Sequence, residues 1–73
     1  MKEIYADFND FDEDGNLALT CAGSVRSINS QKEPLQEGEE VCFSDGDVRA
    51  TGRVFRRKDG TWEGRSDWKF SDC

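Results

Sequence analysis

The sequence predicts an all-β fold, a small five-stranded antiparallel sheet curled into a partly open barrel, with one short helical turn between strands two and three. Three observations predict it. Apolar and polar residues alternate with a period of two in several short stretches, the pattern of strands with one face in water. Asp45-Gly46 and Asp59-Gly60 stand between such stretches, where the left-handed backbone that a tight hairpin needs is readily adopted. Helical spacing extends no further than Val25 to Asn29, and Pro34 ends anything helical before it.

Lys2 to Phe8 is the first strand, with Ile4, Ala6 and Phe8 on one face and Glu3, Tyr5 and Asp7 on the other. Asn16 to Cys21 is the second, antiparallel to the first, with Leu17, Leu19 and Cys21 inward and Gly15 supplying the positive φ of the return. Ser24 caps the helical turn, in which Val25 and Ile28 share one side. Glu39 to Ser44 and Val48 to Phe55 form a hairpin with a two-residue turn at Asp45-Gly46, so that Phe43 faces Val48 and Val41 faces Ala50.

The last hairpin, Val48 to Phe55 with Thr61 to Trp68, offers two registers. A two-residue turn would place Arg56, Glu63, Arg65 and Asp67 on the face of Val54 and bury charges. A three-residue loop with Gly60 left-handed in a bulge brings Trp62 and Gly64 to Val54 instead, and leaves Arg53, Phe55, Glu63 and Arg65 outside. The bulged register is the expected one, with Phe55 an exposed aromatic among arginines. The resulting barrel is SH3-like in kind. Its expected core is Ile4, Phe8, Leu17, Leu19, Val25, Ile28, Leu35, Val41, Phe43, Val48, Val54, Trp62 and Trp68.

With 73 residues there is room for a single small domain, residues 1–73, close to the size at which one apolar core just sustains folding. Two Trp, five Phe and one Tyr separate the chain from disordered sequences despite 36% charged residues. No apolar run reaches a membrane span and the N-terminus lacks the signature of a signal peptide, so the expected location is cytoplasmic, away from membranes. Cys21, Cys42 and Cys73 form no CxxC pair, and three reduced thiols are expected, with a Cys21 to Cys42 bridge across strands as the alternative. Histidine is absent, which excludes Ser/His/Asp and Cys/His triads and makes a non-enzymatic protein without cofactor the expectation.

Charge is unevenly divided. Residues 1–45 carry three basic and eleven acidic side chains, a net of −8, whereas residues 46–73 carry seven and five, a net of +2. Such asymmetry speaks to partners and association rates. The acidic connection holds Asp10, Asp12, Glu13 and Asp14, which with Glu37, Glu39 and Glu40 can occupy a basic groove of a partner protein, as an ordinary docking patch or as a phosphate mimic of the phage-inhibitor type. Protein binding through that loop is the first reading. The runner-up is nucleic-acid binding by Arg53, Phe55, Arg56, Arg57 and Lys58, basic residues interleaved with an aromatic, although the net charge of −6 opposes phosphate approach.

A third reading is weak calcium binding. Asp10, Asp12 and Asp14 occupy loop positions 1, 3 and 5, with Gly15 at 6 and the apolar Leu17 at 8. The closing bidentate Glu of such loops is replaced by Cys21, a poor calcium ligand, so no metal ligand is assigned.

Ile4-Tyr5-Ala6-Asp7-Phe8-Asn9, the Leu17, Leu19, Cys21 and Gly23-Ser24 series, Leu35-Gln36-Glu37-Gly38 and Trp62 with Asp67-Trp68 together resemble a family of short uncharacterised bacterial proteins with an N-terminal Tyr-Ala-Asp-Phe-Asn segment. The resemblance touches nearly the whole chain and is best over the first 38 residues. It implies a small soluble bacterial protein and brings no catalytic residue. The chain departs from the family in the basic run Arg49, Arg53, Arg56, Arg57 and Lys58.

Overall fold

Two glycines decide where the core sits. A Cβ at Gly64 would stand 2.6 Å from the Phe43 ring, and one at Gly52 would stand 2.8 Å from the same ring and 2.5 Å from the Arg65 carbonyl oxygen. The largest fully buried side chain can therefore lie flat across two neighbouring strands only because those strands present no side chain there.

The computed structural model describes residues 1–70. Its elements are β1 (Lys2–Tyr5), β2 (Leu17–Ala18), α1 (Ala22–Asn29), β3 (Glu40–Ser44), β4 (Arg49–Arg56) and β5 (Trp62–Arg65). They form one sheet in the order β1-β3-β4-β5-β2. β1 runs parallel to β3, whereas the other pairs are antiparallel, so the sheet is mixed and does not close into a barrel.

The expected hairpin of the first two strands is thereby overturned: they lie at opposite edges. The free edge of β1 is taken by α1 instead. Tyr5 N–H donates to Ser27 Oγ at 3.0 Å, Ser24 Oγ donates to Tyr5 O at 2.6 Å, and Gln31 Nε2 donates to Glu3 O at 3.1 Å. Gly23 lets the helix come this close, because a Cβ there would meet the Tyr5 ring at 2.7 Å. Two serines one turn apart thus satisfy an edge that would otherwise invite pairing. The opposite edge, β2, is covered by the chain just before it. Ala18 N–H donates to Asp10 O at 2.9 Å and Phe11 bridges Leu17.

The helix starts earlier than its spacing suggests. Cys21 is the N-cap, its Sγ accepting the Ser24 N–H at 3.4 Å, and the expected cap Ser24 is buried against β1. Val25 consequently points outward and is 44% exposed.

In the β3–β4 hairpin the loop has four residues, Asp45 to Val48, rather than two. Asp45 Oδ1 accepts the N–H groups of Asp47 at 2.8 Å and Val48 at 2.9 Å, which holds the longer loop and slides the register by two. An even slide preserves faces, so Val41, Phe43 and Ala50 stay inward while Val48 leaves the strand and is exposed. The β4–β5 hairpin has the bulged three-residue loop: Arg57 N–H donates to Thr61 O at 2.7 Å, Gly60 has φ +89°, and Val54 faces Gly64.

The core is Ile4, Ala6, Leu17, Leu19, Leu35, Val41, Phe43 and Val54, with Phe8, Ile28, Trp62 and Trp68 packed against it. Val25 and Val48 drop out of the expected set, and Ala6 and Ala50 join the fully buried residues. Cys21 is a free thiol, and with β2 and β3 not adjacent it does not bridge Cys42. The expected reduced state fails at Cys42, which is disulfide-bonded. Cys73 lies outside the described residues. Among the described residues no helix is long and apolar enough to cross a membrane.

Candidate functional site

The acidic stretch is a small hairpin in its own right. Asp12 N–H donates to Asn16 O at 2.9 Å, Gly15 N–H donates to Asp12 O at 3.1 Å, and Gly15 takes φ +80°. Asp12 Oδ1 accepts the N–H groups of Asp14 and Asn16, both at 2.9 Å, as aspartates do when they stand in for a backbone acceptor in a turn. Its second oxygen, Oδ2, meets Arg57 Nη2 at 3.1 Å. From the other side Trp68 Nε1 donates to Gly15 O at 3.1 Å. The tip is fixed at three points.

Of the four predicted partner-binding residues, this arrangement removes one and assembles three. Asp12 is internal to the turn and to the ion pair with Arg57. Glu13 and Asp14 are exposed and Asp10 is half-buried, and among the described residues their carboxylates take no hydrogen bond or ion pair. Beside them Phe11 is 40% exposed, its ring edge-on to Trp68 at 5.1 Å between centroids. Trp68 in turn contacts Phe8 at 6.2 Å, and Phe8 contacts Phe70, itself exposed, at 5.3 Å.

Sequence reasoning missed Phe11 and Trp68 as site residues. A lone Phe flanked by Asp10 and Asp12 is a readable sign of an apolar anchor in an acidic rim. The left-handed backbone of Trp68, φ 54°, has no such sign.

The calcium-like spacing does not become a cage. Both Asp12 oxygens are engaged within the fold, Cys21 caps α1, and among the described residues no group of three acidic or cysteine side chains converges to hold a metal ion.

The basic residues are disposed otherwise. Arg57 reaches Glu63 Oε1 with its Nε at 3.6 Å as well as Asp12, and Arg65 Nε meets Glu63 Oε2 at 3.0 Å. Glu63 is buried between them, 8% exposed. Arg56 lies over the Trp62 ring at 4.7 Å and Arg65 over the Phe55 ring at 4.3 Å. Arg53 Nη1 donates to Gly38 O at 2.8 Å. Phe55 is therefore half-buried under a guanidinium, a correction to its expected exposure. Of the predicted basic set, Lys58 alone is exposed without such engagement among the described residues.

Much of the remaining acidity is also structural. Asp7, Asp12, Asp45, Asp59 and Asp67 each accept the N–H two residues on. The N–H groups of Val48 and then Asp47 hold the Asp45 carboxyl below the usual carboxylate range. Asp59 is held down by the Thr61 hydroxyl and then its N–H. Glu39 is held down by the Gln36 N–H and then by Lys2, 2.9 Å away. Glu37 accepts the Arg56 N–H at 3.3 Å. Glu37 and Glu39 are thus tied into the fold rather than free to extend the acidic tip. No protein family, curated protein or solved structure matches the chain.

Proposed function

We infer that this chain is a non-enzymatic protein-binding module that docks the tip of its acidic hairpin on a basic surface of a partner protein. The observation that carries the reading is the contrast within one hairpin: Asp12 is anchored on both oxygens, while Asp10, Glu13 and Asp14 have no partner among the described residues and stand beside an exposed Phe11. A pre-ordered tip loses little conformational entropy on binding. An aromatic anchor ringed by charge has the composition of an interface hot spot, with the charges raising the association rate toward a basic surface. The lack of histidine supports a binding rather than a catalytic role. The resemblance to short bacterial proteins supports a bacterial setting, in which such a tip can occupy a groove meant for phosphates.

Nucleic-acid binding by the basic hairpin is the weaker reading. An extended strand needs several of these arginines at once, of which Arg57 is taken by Asp12 and Glu63 and Arg53 holds a carbonyl, and the Arg65 guanidinium covers the Phe55 face on which a base would stack.

The test is affinity capture from host lysate with the wild type and two variants. Replacing Asp10, Glu13 and Asp14 by Lys, with Asp12 retained so that the turn survives, should abolish capture of the partner protein. Replacing Arg53 and Arg56 by Glu should leave it intact. Loss only in the second variant, or capture of nucleic acid in place of protein, overturns the reading.

A further inference from the structure

On the face of the sheet turned away from the core, β4 and β5 set Arg53 directly opposite Arg65. Like charges at a cross-strand pair repel, and both side chains are exposed. Among the described residues no carboxylate is ion-paired to both guanidinium groups. The one buried carboxylate on this face, Glu63, is shared between Arg65 at 3.0 Å and Arg57 at 3.6 Å, while Arg53 makes no ion pair among the described residues.

An open groove of about 560 Å³ runs over this pair, with Phe55 and Lys69 also lining it. Glu40 and Asp67 line it too, but Asp67 is turned to the N–H of Lys69 at 3.1 Å, and Glu40 is the β3 neighbour of Arg53. Arg65 engages its Nε and Arg53 its Nη1. Both Nη groups of Arg65 and Nη2 of Arg53 are left with no bond to the described residues.

We propose that this groove binds a compact tetrahedral dianion, a phosphate or the phosphate of a monoester, between the Arg53 and Arg65 guanidinium groups. The anion adds two charge-assisted bonds at a cross-strand pair of like charges, for which the planar guanidinium is the suitable donor. Lys69 adds a further positive charge at the groove. Compactness follows from the surroundings. The net charge of −6 repels an extended polyanion, and the guanidinium over Phe55 denies a base its stacking face. The site is separate from the acidic hairpin and stands or falls independently of the protein-binding reading.

The experiment is an amide NMR titration of the full chain at low ionic strength, first with inorganic phosphate and then with a sugar phosphate. Saturable shifts are expected for residues 51–53 and 64–66, in the millimolar range. Arg53→Gln and Arg65→Gln should each weaken binding about tenfold, as loss of one charged contact does. Lys58→Gln should leave it unchanged, and phosphate should raise the thermal midpoint of the wild type but not of the two arginine variants. Equal affinity for both ligands means that the site reads the dianion alone, and tighter binding of the monoester means that the rest of the groove contributes. Absence of saturation at tens of millimolar phosphate, shifts reproduced by chloride at equal ionic strength, or shifts unaltered in both arginine variants would overturn the proposal.

Discussion

The two hairpins of opposite charge differ less in how much charge they carry than in what that charge is attached to. In the acidic hairpin Asp12 is fixed by two N–H groups and Arg57, and the neighbouring carboxylates are unpaired among the described residues. In the β4–β5 hairpin Arg57 and Arg65 share Glu63, Arg56 and Arg65 lie over aromatic rings, and Arg53 holds a carbonyl. A partner of the first meets groups that have only water to give up. An extended partner of the second, which needs several of these arginines at once, must first break bonds the fold already makes, so charge counts alone misjudge which face is available.

The β4–β5 hairpin packs its glycines on the Phe43 ring, which also meets Trp68 at 5.7 Å, and Trp68 carries Phe11 of the acidic hairpin, so the largest effect is expected where Phe43 is disturbed. Gly64→Ala places a Cβ where the Phe43 ring lies, 2.6 Å away, and should destabilise by about 1–3 kcal/mol. Urea unfolding measures it. A change below about 0.5 kcal/mol would mean that the ring has room to slide and that the glycines do not set its place.

Asp12→Ala comes next and tests the asymmetry within the acidic hairpin. It removes two N–H acceptors and an ion-pair partner together and should cost about 1–2 kcal/mol, with faster amide exchange at Asp14 and Asn16. Asp14→Ala, two residues further on and without a side-chain partner among the described residues, should change stability by no more than about 0.5 kcal/mol. Equal costs for the two would erase the distinction between anchoring and displayed carboxylates.

That distinction was only partly legible in the sequence. The bulged β4–β5 register was readable because the alternative buries four charged side chains, a cost large enough to decide. The inward faces of β1 and β3 were readable from their period of two, which survives even the two-residue slide at Asp45. The partner of β1 was not readable. Nothing local separates a strand that pairs with its successor from one that pairs in parallel with β3 while Ser24 and Ser27 satisfy its other edge. Nor was the fate of Asp12, since its selection over Asp10 and Asp14 depends on Arg57, 45 residues away.

Acidification acts on the other side of the comparison, on turns that bound β3, β4 and β5. Asp45, Asp59 and Glu39 have folded-state pKa values held below their ordinary ones by N–H, hydroxyl and Lys2 contacts. A lowered pKa means that the stabilisation is complete above the unfolded value and is lost as pH falls through the folded one. The thermal midpoint should therefore be flat near neutrality and decline below about pH 4. The decline should be shallower in Asp45→Asn and Asp59→Asn, whose side chains no longer titrate. An unchanged slope in both variants would assign the acid sensitivity elsewhere.

The smallest effect is the direct link between the two hairpins. Asp12 and Arg57 are each about one quarter to one third exposed, 31% and 26% at the side chain, so solvent screens their attraction. A double-mutant cycle through Asp12→Asn and Arg57→Gln should return a coupling of about 0.2–1 kcal/mol that shrinks as salt is raised. The Asn retains an acceptor for the Asp14 and Asn16 N–H groups, so the cycle isolates the bridge from the turn. A coupling indistinguishable from zero at low salt would leave the hairpin held by its own turn and by Trp68 alone. The acidic tip would then move independently of the basic strands, and the reversal of Arg53 and Arg56 could no longer affect it even indirectly.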